Sequence, residues 1–242
     1  YRRQRQMCIR DRCIRSVYEH TTYPNYEIIV VDNGSSAQAR MALQNFQEEC
    51  AFIYLYEPMD FNFSVMCNLG AKKAGGEYLL LLNDDMEVLA DCADWLDRMV
   101  GQASLRHVGA VGAKLLYPNS TLIQHAGVTN TISGPGHKLK GLDDTQSYYY
   151  GRNKLVYDMI GVTAACLLIR TKVYRALGGL YEGLRVAYND VDLCFRLCEK
   201  GLCNVQRNDV VLYHHESLSR GDDMQDAVSY THLRAHETDS YL

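Results

Sequence analysis

Asn83-Asp84-Asp85 is the stretch of this sequence where chemistry is hardest to avoid, because two adjacent carboxylates follow directly on the apolar run Glu77–Leu82 (EYLLLL). Their mutual repulsion costs stability unless a cation or hydrogen bonds offset it, and hard oxygen ligands of this kind suit Mg²⁺ or Mn²⁺. Asp32 stands in the same relation to Glu27–Val31 (EIIVV). Alone, it is as readily a turn-former as a ligand-binding group. A third acidic group, Asn189-Asp190-Val191-Asp192, runs into Leu193-Cys194-Phe195-Arg196. There Asn189 or Asp190 can cap a helix and Asp192 can pair with Arg196 one turn on. Asp190 is then the carboxylate available to accept a proton. His214-His215-Glu216-Ser217 follows the run Val210–Tyr213. A lone histidine is more often structural than a ligand, but a carboxylate metal site elsewhere in the chain raises its value.

These groups need a scaffold that brings strand ends together. Glu27–Val31 and Glu77–Leu82 read as strands, the second covered on both faces as in the middle of a parallel sheet. Ala37–Cys50 has helical spacing, and Ala51–Tyr56 is a second strand candidate. Ser64–Ala74 reads as a helix with Ser64 as N-cap and Gly75-Gly76 as its stop. Asp91–Gln102 is an amphipathic helix carrying Trp95, the only tryptophan. Val108–Leu116 and Gly161–Ile169 are strand-like, Thr171–Leu177 and Val191–Lys200 helical, and Val210–Tyr213 a last short strand. Ile132–Asn153, rich in glycine and tyrosine, reads as a long loop. Strands alternating with helices indicate an α/β layered fold, whose ligands sit beyond the carboxyl ends of the strands. Asp32 and Asn83-Asp84-Asp85 therefore point to one crevice.

Bulk properties narrow the function. A chain of 242 residues can bury one substantial core, and no internal repeat or linker divides it. The net charge of −4 gives no basic stripe for nucleic acid. Nine cysteines at irregular spacing, with no CxxC pair, disfavour a disulfide framework or a zinc cage and fit a reducing cytosol. Cys194 and Cys198, one turn apart, read as helix packing. Tyr78–Leu82 and Gly161–Ile169, the longest apolar stretches, fall far short of the ~20 residues a membrane span needs. No apolar signal-peptide region is visible. Met7–Arg12 and Val228–Thr238 resemble translated sequencing-adapter DNA. Residues 1–12 and 228–242 are accordingly expected to be non-native tails without helical or strand periodicity tied to their neighbours, around a domain at 13–221.

In their order along the chain, these motifs resemble the family 2 glycosyltransferases, which have the GT-A fold. The matching pieces are Tyr23–Ser35 (YPNYEIIVVDNGS), Asn68–Ala71 (NLGA), Gly76–Asp85 (GEYLLLLNDD), Gly161–Leu167 (GVTAACL), Asn189–Cys194 (NDVDLC) and Tyr213–Ser217 (YHHES). The resemblance implies a Rossmann-like, mostly parallel central sheet flanked by helices. It also implies an inverting, metal-dependent transfer of a sugar, hexosyl or rhamnosyl, from a nucleotide diphosphate sugar to an acceptor hydroxyl. Asp32 would contact the donor's base or ribose, and Asn68 the nucleotide pocket. Asn83-Asp84-Asp85 takes the place of the family's DxD motif, with Asp85 on Mg²⁺ or Mn²⁺ and Asn83 and Asp84 toward the donor. Asp190 matches the catalytic base and His214 a histidine of the metal or diphosphate site. Two departures stand out: Asn83 replaces the first acid of DxD, and the family's opening strand and loop have no counterpart here. The nearest pattern is that of bacterial surface-polysaccharide enzymes of O-antigen or rhamnan type. Their acceptors are glycans or lipid-linked glycans, handled in the cytoplasm or at the inner membrane face.

Two rivals come from other classes. One is a nucleotide-sugar-binding module that performs no transfer. The other, a dinucleotide-dependent oxidoreductase, lacks its signature, since no GxGxxG follows any strand and Asp32-Asn33-Gly34-Ser35 is not a phosphate-gripping glycine loop.

Overall fold

The computed structural model describes residues 2–132 and 134–215, with side chains from residue 9 onward. Glu216, Ser217 and the expected tail at 228–242 lie outside the described residues.

The chain opens with α1 (Arg2–Glu19), one continuous helix of 18 residues. Residues 2–12, expected to form a tail, thus continue directly into the helix of residues 13–19. Its buried residues Cys13, Ile14 and Val17 share one face at helical spacing. Ser16 joins them and accepts a hydrogen bond from Val88 N at 3.0 Å, which ties α1 to the sheet. Next come β1 (Ile29–Asp32), α2 (Ala37–Phe46) and β2 (Ile53–Tyr56). Ser36 caps α2 by accepting from Ala39 N. Helix α3 (Phe63–Lys73) starts a residue earlier than expected, because Asn62 rather than Ser64 is its N-cap. Ser64 instead donates to Leu184 O at 2.6 Å.

The remaining elements are β3 (Tyr78–Leu82), β4 (Met86–Val88), α4 (Trp95–Ala103), β5 (Val108–Leu116), β6 (Ile123–His125), β7 (Val128–Thr131) and β8 (Gly134–His137). They continue with β9 (Val156–Met159), β10 (Cys166–Arg170), α5 (Thr171–Ala176), α6 (Asn189–Glu199) and β11 (Cys203–His214). The expected loop from Ile132 to Asn153 holds the second strand of the β7–β8 hairpin. The expected short strand Val210–Tyr213 is the end of a 12-residue one. Strand order in the large sheet is β3-β10-β5-β11-β4, with β6 on β5 and β9 on β11. It is a mixed sheet rather than a mostly parallel one. Within it only β5–β11 is parallel, and the other ladders, such as β10–β3 and β11–β4, run antiparallel.

Two cores sandwich this sheet. On one face Trp95, Met99 and Val111 pack with Cys13 and Val17 of α1. On the other, Leu79, Leu81 and Leu167 pack against Leu193 and Leu197 of α6. Trp95 is fully buried, and its indole N–H donates to Thr21 Oγ1 at 3.0 Å.

One feature departs from a closed sheet. β1 pairs with β2 in a separate two-stranded parallel sheet, and neither pairs with β3. Helix α3 bridges the two sheets. It sits so close to β1 that a Cβ on Gly70 would lie 3.3 Å from Val31 Cγ2. Glu27 accepts from Gly75 N at 2.7 Å on the same side. Burial records the consequence. β5 and β10, paired on both edges, are buried at every position, whereas β3 alternates buried with half-buried residues and β1 is mostly half-buried.

A buried ion pair ties the segment before β9 to the sheet. Lys114 on β5 is 1% exposed, and its Nζ donates to Asp144 Oδ1 (3.0 Å), Asp144 Oδ2 (2.8 Å) and Asn153 O (2.8 Å). All three ammonium protons are thereby used. Burial alone would raise the Asp144 carboxyl, but hydrogen bonds from Lys114, Lys154 and Asn153 outweigh it and hold the group below its ordinary range. This stabilisation is thus present above the unfolded carboxyl value and is lost as pH falls through the lower folded one. Lys114→Met is expected to cost about 3–5 kcal/mol by stranding a buried carboxylate. Lys154, half exposed at 51%, also pairs with Asp144 and places the loss toward the lower end. Urea denaturation at pH 7 checks this, and a loss below about 1 kcal/mol would contradict it.

Candidate active site

A cavity of about 2110 Å³ runs along the carboxyl ends of β1 and β3 and along the gap between them. Asp32, Asn83, Asp84, Asp85, Asp190 and His214 all line it. Six of the seven residues singled out in the sequence therefore line one cavity.

Asn83-Asp84-Asp85 forms the turn between β3 and β4, with Asp84 exposed and Asp85 7% exposed. Asn83 N donates to Ala165 O at 3.0 Å, and Asp85 O accepts from His215 N at 2.8 Å, so backbone bonds fix both ends of the turn. His214 lies opposite Met86 in the antiparallel β11–β4 ladder, which brings its ring beside Asp85. His214 Nε2 is 3.0 Å from Asp85 Oδ1 and 3.4 Å from Asn83 Nδ2. Strand alternation turns the next residue away: His215 Nε2 lies 2.6 Å from Glu87 Oε2 and 3.2 Å from an Arg12 nitrogen.

The pair suits a hard divalent ion. Neighbouring corners of an octahedron with ~2.1 Å bonds are ~3.0 Å apart, which matches the Nε2–Oδ1 separation. Among the described residues no group of three or more His, Cys, Asp or Glu side chains converges as an all-protein cage. Mg²⁺ and Mn²⁺ do not need one, because such ions complete their shell with water and substrate phosphates.

Asp190 stands in the first turn of α6 and lines the same cavity. Neither Asn189 nor Asp190 is the N-cap. Tyr188 is, with a left-handed backbone (φ 62°) and no capping side chain. Asp190 Oδ1 accepts from Val191 N at 2.9 Å, and Oδ2 accepts from Ala164 N at 3.0 Å. The carboxylate is thus held between α6 and the segment leading into β10, with accepting capacity left on each oxygen. Asp192 has the structural role expected of it: 1% exposed, it accepts from Arg196 Nε (2.9 Å) and Nη2 (2.6 Å).

Two assignments change. Asn68 does not line the cavity and is 7% exposed. Its Oδ1 accepts from Tyr174 Oη (2.7 Å) and Leu180 N (3.0 Å), and its Nδ2 donates to Leu180 O (2.9 Å) and Glu182 Oε1 (3.0 Å). Every hydrogen-bonding capacity of the amide is used, so it clamps α3 to the 180–182 loop and cannot serve a nucleotide. The loop comes so close that a Cβ on Gly179 (φ +77°) would lie 2.3 Å from Asn68 Oδ1. Asp32 does line the cavity, but it also holds its own turn. Oδ1 accepts from Gly34 N and Ser35 N, and Oδ2 accepts from Tyr54 Oη at 2.5 Å. Burial pushes this carboxyl up, yet those hydrogen bonds together bring it below its ordinary value.

Sequence reasoning missed Gln124 and His125 on β6, which also line the cavity. Gln124 Oε1 is 2.7 Å from His214 Nδ1, and His125 Nδ1 is 2.6 Å from His137 Nδ1 on the hairpin. The available signal was a polar Gln-His pair directly after Ile123 and just before Gly127.

Comparison with known proteins decides the family. The profile of "Glycosyl transferase family 2" matches residues 11–178. The chain belongs to glycosyl transferase family 2. The matched span ends before Asp190 and His214. The chain is 41% identical over 214 residues to "Uncharacterized protein y4gI" of Sinorhizobium fredii, covering 86% of this chain and 23% of that protein. It is 37% identical over 219 residues to "O-antigen biosynthesis protein RfbC" of Myxococcus xanthus, covering 90% of this chain and 17% of that protein. The chain thus spans less than a quarter of the length of these curated relatives. Among solved structures it resembles the mannosyltransferase PcManGT from Pyrobaculum calidifontis in complex with GDP-Man and Mn²⁺, with TM-score 0.66 and 17% identity over 96% of this chain and 60% of that one. It also resembles GalNAc-T7 with UDP, GalNAc and Mn²⁺, with TM-score 0.65 and 15% identity over 84% of this chain and 40% of that one. At these identities the likeness establishes the GT-A fold.

Proposed function

We propose that this domain transfers a sugar from a nucleoside diphosphate sugar to an acceptor hydroxyl, with inversion, using Asp85 and His214 to hold a divalent cation and Asp190 as general base. The observation that carries the reading is the single cavity that places the Asp85–His214 pair and Asp190 on its walls. A bound Mg²⁺ or Mn²⁺ would supply Lewis-acid stabilisation to the departing diphosphate. Asn83 Nδ2 and Asp84, at the mouth of the same turn, face the donor. Asp32 shapes the turn against which the base or ribose rests. Asp190 takes the proton as the acceptor oxygen attacks the anomeric carbon, whose transition state has oxocarbenium character. One base and one metal pair suffice for a single inverting displacement.

The relative named for O-antigen biosynthesis supports a role in bacterial surface-polysaccharide synthesis, and on that reading the acceptor is a glycan or lipid-linked glycan and the sugar a hexose or rhamnose. The neighbours solved with GDP-Man, UDP and Mn²⁺ support a nucleotide donor and a divalent ion. Among the described residues no helix is long and apolar enough to cross a membrane. We place the reaction in the cytoplasm, at the inner membrane face where a lipid-linked acceptor would be met.

A second reading, a binding module without turnover, draws on the open gap beside Asp32. Incubation with a panel of nucleoside diphosphate sugars and Mn²⁺ separates the two. Time-dependent release of nucleoside diphosphate supports transfer, whereas tight binding with no release supports the module. Asp85→Ala is expected to remove the Mn²⁺-dependent part of nucleoside diphosphate affinity, at least tenfold, or about 1.4 kcal/mol. Unchanged metal-dependent affinity in that variant would reject the metal assignment.

A further inference from the structure

Gln124 is 5% exposed and occupies an irregular place in the sheet. In the antiparallel β5–β6 pair, Leu115 lies opposite His125 but Leu116 lies opposite Ile123. β6 therefore carries one residue more than its partner across this step, and the extra residue is Gln124. Bulges of this kind re-aim a side chain that regular alternation would place elsewhere. Here the side chain points across β5, which pairs with β6 on one edge and β11 on the other, and its Oε1 reaches His214 Nδ1 at 2.7 Å.

An amide oxygen only accepts, so His214 Nδ1 must be the donor. In the neutral ring the remaining nitrogen, Nε2, then presents its lone pair to the cavity. One neighbour agrees with that tautomer: Asn83 Nδ2, a donor, lies 3.4 Å from Nε2. The Asp85 carboxylate, which can only accept, lies 3.0 Å from it. A lone pair facing a carboxylate at that distance is an arrangement that a cation between them relieves. Metal-ligating histidines are oriented in this way by a hydrogen bond to the ring nitrogen that does not bind the metal.

We propose that Gln124 is a positioning residue for the nucleotide site, fixing His214 in its Nδ1–H tautomer so that Nε2 is presented as a metal ligand beside Asp85. The inference rests on the reading of Asp85 and His214 as the metal-holding pair. In this role Gln124 acts through His214.

The test uses Gln124→Met, which keeps side-chain length and loses the acceptor oxygen, and Gln124→Glu, which keeps an acceptor. Long-range ¹H–¹⁵N correlation spectra of the histidine rings, recorded on the metal-free protein, read the tautomer directly. The parent and Q124E are expected to show His214 with Nδ1 protonated, and Q124M to shift toward Nε2–H. Mn²⁺ titrations in the presence of UDP or GDP are expected to show affinity about 10–100-fold weaker in Q124M and retained in Q124E. An unchanged tautomer in Q124M with Mn²⁺ affinity within twofold of the parent overturns the proposal. So does a Q124E protein that behaves like Q124M. If the parent itself binds no Mn²⁺, the metal reading fails, and the tautomer spectra still decide the role of Gln124.

Discussion

Asp190→Asn is expected to lower sugar transfer by about 10²–10⁴-fold while leaving the fold and donor binding in place. The substitution removes the proton acceptor and keeps the side chain's shape. Asparagine can still accept from Val191 N through its amide oxygen, as Asp190 Oδ1 does at 2.9 Å. Its NH₂ group, however, would face Ala164 N, which now donates to Oδ2 at 3.0 Å. Stranding that donor costs about 1–3 kcal/mol, which in a domain of this size corresponds to roughly 2–12 °C in Tm. Asp192→Asn provides the contrast. It breaks the paired contacts to Arg196 and is expected to lower Tm with a smaller effect on the rate per folded molecule. Transfer by Asp190→Asn within tenfold of the parent, on protein shown to be folded, would remove Asp190 from the base role.

An extended apolar segment placed between β1 and β3 is expected to raise Tm by about 5–15 °C. Both strands face the same cavity with unpaired edges: Ile29–Asp32 bonds only to β2, and Tyr78–Leu82 only to β10, among the described residues. The floor and roof of the slot are apolar, with Ile28, Val30, Leu80 and Trp95 among its lining. Each apolar side chain buried there contributes roughly 1.5–3 kcal/mol, set against about 1–2 kcal/mol per residue to order the backbone. The remainder comes from pairing exposed N–H and C=O groups on two edges, which otherwise invite aggregation. A strand–loop segment from a longer homologue, fused ahead of α1, supplies the insert, and the same segment with proline at its centre is the control. Equal melting temperatures for the fused and unfused proteins would show that the slot takes no strand.

Much of the site was legible because its residues end elements with strong patterns. EIIVV and EYLLLL announce strands by β-branched or continuous apolar runs, and the carboxylates that follow them must then lie at strand ends. Asp190 and Asp192 separated correctly into a cleft carboxylate and a helix partner because the i,i+4 relation to Arg196 is a local rule. Longer-range geometry was not legible. The strand β11 was shortened to its last apolar residues because Gln206-Arg207-Asn208-Asp209 interrupts its pattern. There Gln206 and Asn208 bond to each other at 3.2 Å inside the protein. The hairpin strand Gly134–His137 has the composition of a loop, and it is its partner Val128–Thr131 that makes it a strand. Asn68 was assigned to the nucleotide pocket by resemblance alone, and its actual partners, more than a hundred residues away, are not announced by any local pattern. The reach of Gln124 depends on a bulge, which a single sequence does not announce. The mixed order of the sheet was hidden for a related reason: the direction of β10 and β4 is set by crossings that local periodicity does not encode.

Asp85 and His214 are proposed to bind a nucleoside diphosphate through a divalent cation. The direct test is an isothermal calorimetric titration of the protein with UDP and GDP, once in Mn²⁺ and once in chelator. At least one nucleotide should bind at least tenfold more tightly with Mn²⁺, and that gain should vanish in both Asp85→Ala and His214→Ala. Equal affinity with and without the metal, or a metal-dependent gain that survives both substitutions, would contradict the account.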